Sequence, residues 1–423
     1  MSASSGSVVI IGTGTGAANA AVNLRRLGWR GEIAVVSTIS SLALEMMEPD
    51  MLSGLNIEKR VRSPILSTSL AKQYGIDMIW AGALSSIDRD KRQIFLSDGW
   101  ELPFTHLVLA PTMLPQKIDV SGQSMSGVLQ GHSPYDLAEA RRHFESKKNV
   151  LIWGGSISSF VLAAMASDYG CNVNLILDKK LDAHRPIPKQ LELYLVDFVE
   201  GRRVKVARDS QVIAIEGGRS ASGVRTKEGA FIDGEVVVID SGRLPDMGLV
   251  REAGLESREQ MTTDALLRSV SDNRIFGCGS ISSYTSSLFR GQVCFWGARI
   301  EAAQGKTIAR NILNPRYAHD EVPVRLFLLS GHVLAIVGLI LEESLFRLRT
   351  GSNSMFLLSL TEEHEIIGVA IFGKRCSVET AVSIFKKAVA RRIKVPRIRN
   401  DMDCKLSKVL DDIYDEIAAK MAH

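Results

Sequence analysis

Residues 8–36 read VVIIGTGTGAANAAVNLRRLGWRGEIAVV, and this stretch decides the fold. Val8 to Ile11 is a short β-branched run of the kind that forms a buried strand. Gly12-Thr13-Gly14-Thr15-Gly16-Ala17 follows. Ala18 to Leu27 then reads as a helix with Ala21, Leu24 and Leu27 on one face. Gly28 and Gly31 end it, and Glu32 to Val36 is the next strand. Glycines between a strand and a helix suit one task. The N–H groups of a helix N-terminus hold a phosphate, the helix dipole favours its charge, and a side chain in the turn would block it. Gly12, Gly14 and Ala17 take the G-x-G-x-x-G/A positions of a dinucleotide site, and Thr13, Thr15 and Gly16 are compatible with it. Gly14 is the residue expected beneath the pyrophosphate. A carboxylate usually ends the following strand and takes the ribose hydroxyls. Ser37 and Thr38 stand there instead. Neutral hydrogen bonds in place of a charged one are expected to weaken binding by roughly 1–2 kcal/mol.

A second unit of the same design begins near residue 149. Asn149 to Trp153 is a strand, Gly154-Gly155-Ser156-Ile157-Ser158-Ser159 a turn, and a helix runs on through Ala163 and Ala166. Cys171 to Leu177 is the following strand, ended by Asp178. Here the glycine positions read Gly154, Ser156 and Ser159, so side chains crowd the phosphate turn. The chain is therefore read as α/β, with two Rossmann-like three-layer nucleotide-binding domains.

The remaining signals bound the answer. The chain has 423 residues, 45% apolar and 23% charged, which suits a globular protein of two to four domains. That composition excludes disordered, collagenous and disulfide-stapled classes. Net charge is only +4, from 51 basic and 47 acidic residues, so no nucleic-acid module is expected. Cys171, Cys278, Cys294, Cys376 and Cys404 lie far apart, without metal-ligand spacing. They read as free thiols in a reducing, cytoplasmic setting, with no metal. The start MSASSGS lacks a leader pattern. Leu326 to Leu341 is apolar but too short to span a membrane, and reads as two buried strands turning at Ser330-Gly331. Ser85 to Leu96 reads as a hairpin turning within Asp88 to Lys91. Beyond residue 320 strands follow one another before a helix over 379–389. The basic run 386–399 reads as a solvated helix face, or as a docking surface for an acidic protein or cofactor tail. His106 and His332 read as structural histidines.

Six segments, in order, carry a resemblance: 8–37, GIDMIWAGALSSIDRDKRQIFLSDGWELPFTHLVLA (75–110), 149–178, GEVVVIDSGRLPDMGLVREAGLE (234–256), TTDALLRSVSDNRIFGCGS (262–280) and AQGKTIARNIL (303–313). Together they resemble the FAD-dependent pyridine nucleotide-disulfide oxidoreductases of the ferredoxin- and rubredoxin-reductase type, without the redox-active disulfide. The resemblance implies a nested layout. An FAD-binding domain would span 1–118 and 246–320, an NAD(P)H-binding-like domain 119–245, and a C-terminal α+β interface domain 321–423. It implies FAD on Gly12 to Ala17, Ser37, Thr38, Ala110, Gly279 and Ser280, with Trp296 near the flavin face, where aromatic packing in the core is the other reading. It implies NADH as a further cofactor on Gly154, Gly155, Ser156 and Asp178, the acid disfavouring the 2′-phosphate of NADPH.

Departures from the family pattern are as informative. The family's alanine-threonine-glycine turn reads Ala110-Pro111-Thr112, and its glycine-aspartate pair reads Gly279-Ser280. A flavin-side lysine has no counterpart in 45–54, and its glutamate partner aligns with Val161. The expected activity is electron transfer from NADH through FAD to a small-molecule or protein acceptor. Two other readings stand beside it: a non-catalytic binding subunit or scaffold, and an FAD oxidase that no longer uses NADH. A homodimer or hetero-complex through the C-terminal domain is expected.

Overall fold

The structure is a computed structural model. It describes residues 6–37, 66–80, 84–111, 113–131, 134–178, 180–181, 187–245, 247–257, 260–342, 345–349 and 355–394. The chain first builds β1 (Ser7–Ile11), α1 (Thr15–Arg26), β2 (Glu32–Ser37), α2 (Thr68–Gln73), β3 (Asp77–Trp80) and β4 (His106–Leu109). It continues with β5 (Val128–Gln130), α3 (Pro134–Glu145), β6 (Asn149–Gly154), α4 (Ile157–Asp168), β7 (Asn172–Leu177), α5 (Lys189–Glu200), β8 (Lys205–Arg208) and β9 (Val236–Asp240). Then come β10 (Ile275–Gly277), α6 (Ala298–Leu313), β11 (Val324–Leu329), β12 (His332–Gly338), β13 (Leu345–Arg349), β14 (Met355–Leu360), β15 (Ile366–Lys374) and α7 (Arg375–Ala390).

These residues form two compact units. One takes the described residues up to 114 and those of 244–323; the other takes those of 115–243 and from 324 on. The first unit is built on a parallel sheet of order β10-β4-β1-β2-β3. Alternation in β1 sends Val8 and Ile10 to one core, with Leu24, Ile33, Phe276 and Ile308. It sends Val9 and Ile11 to the other, with Ile94, Leu107 and Ile275. Both faces are thus covered, as a parallel sheet requires. On the first face α1 and α6 touch backbone to backbone. A Cβ on Gly305 would lie 2.3 Å from the Gly16 carbonyl oxygen and 2.9 Å from the Ala20 nitrogen. The hairpin on the second face pairs Leu84–Asp88 with Gln93–Leu96, so its turn falls one residue later than expected from the sequence.

The second unit repeats the plan with a parallel sheet of order β8-β7-β6-β9-β5. In both sheets the first strand of the βαβ unit has its neighbours on opposite sides. That makes a topological switch point, between β1 and β4 and again between β6 and β9. Ligands of such sheets bind in the crevice at the carboxyl ends of those strands. The second unit also contains an antiparallel sheet of order β11-β12-β15-β14-β13. Its Ser330-Gly331 turn has φ of +46° and +75°, the conformation of a tight two-residue hairpin. Ser330 Oγ donates to Asp168 Oδ1 at 2.8 Å, and the His332 ring stacks on Phe372 with Phe198 edge-on to both. The C-terminal segment is therefore packed on α4 and α5.

The C-terminal helix and one strand differ from the sequence reading. The last helix starts at Arg375 rather than 379, because Val378, Ala381 and Phe385 continue its buried face. A strand over Ala221–Thr226, whose burial alternates only weakly, gave no legible pattern. Among the described residues no helix is long and apolar enough to cross a membrane, and no cluster of His, Cys, Asp or Glu has the arrangement of a metal site.

Candidate functional site: two glycine turns

In the first unit the glycine turn lies at the β1–β4 switch point. Gly12 has φ of +115°, and a Cβ there would sit 1.9 Å from the Ala110 carbonyl oxygen. Only glycine fits. Gly14 is the N-cap of α1 and makes no side-chain cap; the first turn carries no acid. Thr13, Gly14 and Thr15 are half-buried, whereas Gly16 and Ala17 are buried against the fold. Gly16 has a packing duty, since a Cβ there would meet Cys278 Sγ at 2.4 Å. Among the described residues no side chain caps the α1 N–H groups, which suits an anion there. Ser37 is buried at the end of β2, where the ribose contact was expected. Thr38, Thr112 and residues 45–54 lie outside the described residues.

The segment after β10 brings Gly279, Ser280 and α6 together. Gly279 has φ of +77°, and its N–H donates to Gln304 Oε1 at 2.7 Å. Gln304 Nε2 donates to the Phe295 carbonyl at 3.2 Å, which ties α6 to the approach loop. Ser280 is buried, with its carbonyl accepting from Gln260 Nε2 at 3.1 Å. Trp296 is half-buried, one residue before Gly297, the α6 N-cap, which makes no side-chain cap. Glu301 in the first turn of α6 stands beside Gly279, where a Cβ would meet its Oε1 at 2.9 Å. The missing aspartate at 280 is therefore accompanied by a carboxylate from another element. The sequence marks 303–313 only as a segment of the family resemblance, so neither Gln304 within it nor Glu301 before it carries a site signal. Cys278 is buried, and burial pushes its thiol well above the ordinary value, so it stays protonated. The residues present fit a dinucleotide pyrophosphate at α1.

The second unit has the same turn with different contents. Gly154 pairs with Asp240 at the carboxyl ends of β6 and β9. The Asp240 carboxylate is buried, and its Oδ2 accepts from Ser156 Oγ at 2.6 Å and from Ser159 Oγ at 2.7 Å. Ser156 is the N-cap of α4, and its oxygen also accepts from Ser158 N at 2.9 Å. Gly155 is covered by chain: a Cβ there would lie 2.5 Å from the Leu181 carbonyl oxygen. Asp178 is 5% exposed. Its Oδ2 accepts from the Trp153 indole N–H at 3.2 Å, and its Oδ1 from Lys180 N at 3.0 Å. Val161 is buried in α4. The residues of this turn do not fit a pyrophosphate in the arrangement they adopt, because a side-chain carboxylate already stands at the switch point. Asp240 carries no signal of its own in the sequence, because only strand order and register bring it opposite Gly154.

Comparison with known proteins agrees with this architecture. The family model described as "Pyridine nucleotide-disulphide oxidoreductase" matches residues 6–304. A rubredoxin-NAD(+) reductase of Pseudomonas putida is 22% identical over 308 residues, 72% of this chain and 79% of that protein. The ferredoxin--NAD(+) reductase component of the Pseudomonas putida p-cumate 2,3-dioxygenase system is 25% identical over 340 residues, covering 78% and 81%. The crystal structure of the ferredoxin reductase for the CYP199A2 system of Rhodopseudomonas palustris superposes with a TM-score of 0.81 at 22% identity, covering 96% and 98%.

Proposed function

The chain belongs to the pyridine nucleotide-disulphide oxidoreductase family, and from that premise we propose an FAD-dependent oxidoreductase that passes electrons from NADH to an acceptor. The observation that carries the FAD assignment is the uncapped N-terminus of α1 at the first switch point. A bound flavin supplies hydride acceptance and electron release. The chain supplies the positioning. Gly12, Gly14 and the first N–H groups of α1 hold the pyrophosphate, with Thr13 and Thr15 at its flanks and Gly16 and Ala17 packing the helix close. Ser37 and Thr38 take the ribose hydroxyls. Ala110, Gly279, Ser280 and Trp296 line the remainder, with Gly279 fixed by Gln304. In this reading 1–118 and 246–320 hold the flavin, 119–245 form the nucleotide-binding-like domain, and 321–423 form an interface for a homodimer or hetero-complex. The relatives' names point to a ferredoxin- or rubredoxin-like acceptor, and the scattered cysteines, without disulfide or metal spacing, suit a reducing, cytoplasmic setting.

A specific observation favours a second reading of the electron donor. The carboxylate of Asp240 occupies the turn where NADH would bind. An FAD oxidase fed by another substrate, or a non-catalytic subunit, accommodates that closure. The visible spectrum of the purified chain, recorded before and after anaerobic NADH, decides. A flavin spectrum that bleaches supports the reductase. A stable flavin spectrum supports the oxidase. No flavin peaks after incubation with excess FAD would overturn the flavoenzyme and leave the binding subunit.

A further inference from the structure

We propose that Asp240, held by Ser156 and Ser159, takes the place of the dinucleotide phosphate at the first turn of α4 and weakens NADH at the second unit at least tenfold relative to an open turn. The proposal rests on the family reading only in taking that turn as the place for the pyridine nucleotide.

The chain contains its own control. Its two glycine turns have the same spacing and the same position in the same kind of sheet. Gly12, Gly14 and Ala17 of the first correspond to Gly154, Ser156 and Ser159 of the second. In the first unit Ile11 pairs with Leu109, so Gly12 lies opposite Ala110, and its missing Cβ faces the Ala110 backbone. In the second unit Gly154 pairs with Asp240, and its missing Cβ would lie 2.8 Å from Asp240 Cβ. Three positions are small and apolar in the open turn and polar in the closed one. Both serines donate to the aspartate. Drift at separate sites would not place all three in one network.

The physical logic is that of an anion site. A helix N-terminus favours a negative charge in its first turn. Asp240 supplies one from within the chain, and two hydroxyls donate to it at the short distances of charge-assisted bonds. An entering pyrophosphate would have to break both bonds and share the crevice with a buried like charge. The expected ribose ligand is also engaged, since Asp178 accepts from Trp153 and Lys180.

The test is calorimetric titration of the full chain with NADH, with ADP-ribose as a probe lacking nicotinamide. The variant Asp240→Ala with Ser156→Gly and Ser159→Ala copies the open turn into the second unit. Asp240→Asn keeps the shape and removes the charge. Both NADH and ADP-ribose should bind the triple variant roughly tenfold or more tighter than the parent, and Asp240→Asn should tighten binding by about threefold or more. NADH should raise the thermal midpoint of the variants and leave that of the parent in place. If the triple variant does not fold, Asp240→Asn decides by the same criterion. Binding by the parent within twofold of the variants would overturn the proposal, and so would variants that still do not bind. Flavin absorbance of the same samples reports the first unit separately. A colourless parent with NADH-binding variants removes the flavoenzyme and keeps this proposal. A parent flavin that bleaches at micromolar NADH does the reverse.

Discussion

At Gly14 the backbone has φ of −67° and ψ of 177°, a conformation that any residue adopts. Aspartate there would cap α1 favourably while placing a negative charge beneath the expected phosphate. Gly14→Asp should strip the flavin and, compared with the flavin-free parent, leave the thermal midpoint unchanged or slightly higher. The ratio of visible to ultraviolet absorbance reads this, and an unchanged ratio would remove Gly14 from the site. A second prediction concerns His319. Its ring is buried edge-on to Tyr284, 5.2 Å between centroids, with Nδ1 3.1 Å from Thr307 Oγ1. Burial lowers its pKa to about 4, against 6.5 in the open chain. Between those values the unfolded chain binds the extra proton, so stability falls as pH drops through 6.5 and the loss is complete near 4. The loss is up to about 3 kcal/mol. His319→Gln should flatten that slope, measured as urea midpoints at pH 7 and pH 5. An unaltered slope would mean that His319 is not buried neutral. His106, which burial also shifts down, continues to contribute in the variant.

Helices α1 and α6 meet through glycine. Gly305→Ala would drive a Cβ to within 2.3 Å of the Gly16 carbonyl oxygen, so the helices must separate. A destabilisation of about 1–3 kcal/mol is expected from such overpacking. Differential scanning fluorimetry checks it; a midpoint equal to that of the parent would show that the contact relaxes freely. The fragment containing Gly305 was legible in the sequence, but as a family segment rather than as a backbone contact. The strands were more legible. Val8 to Ile11, Glu32 to Val36 and Asn149 to Trp153 announce themselves by apolar β-branched runs, and each forms a strand of a parallel sheet. The apolar stretch 326–341 resolves, as read, into β11 and β12 around Ser330-Gly331. Strand 221–226 was illegible, because Ser222, Gly223 and Arg225 interrupt its apolar pattern.

The whole chain holds two compact units, each with a parallel sheet and a core of its own. Differential scanning calorimetry should therefore resolve two transitions. Excess FAD should raise one of them and leave the other in place, because ligand stabilisation falls on the unit that binds. Equal movement of both transitions would show that the units unfold together. The same experiment with NADH addresses the second unit alone.

The sequence by itself determined the class of fold, the two βαβ units, the glycine turn of the first and the damaged turn of the second. These are local properties, set by side-chain alternation and by residues a few positions apart. Tertiary structure alone decided what fills the second turn. Ser156 and Ser159 lie 84 and 81 positions from Asp240, and Trp153 lies 25 from Asp178. Gly279 and Gln304, 25 positions apart, likewise meet only through the fold. Such contacts depend on strand order and register, which bring distant carboxylates and hydroxyls to one crevice. No periodicity within a segment encodes that register, so the sequence marked the turn as altered and the fold alone showed how its own chain closes it.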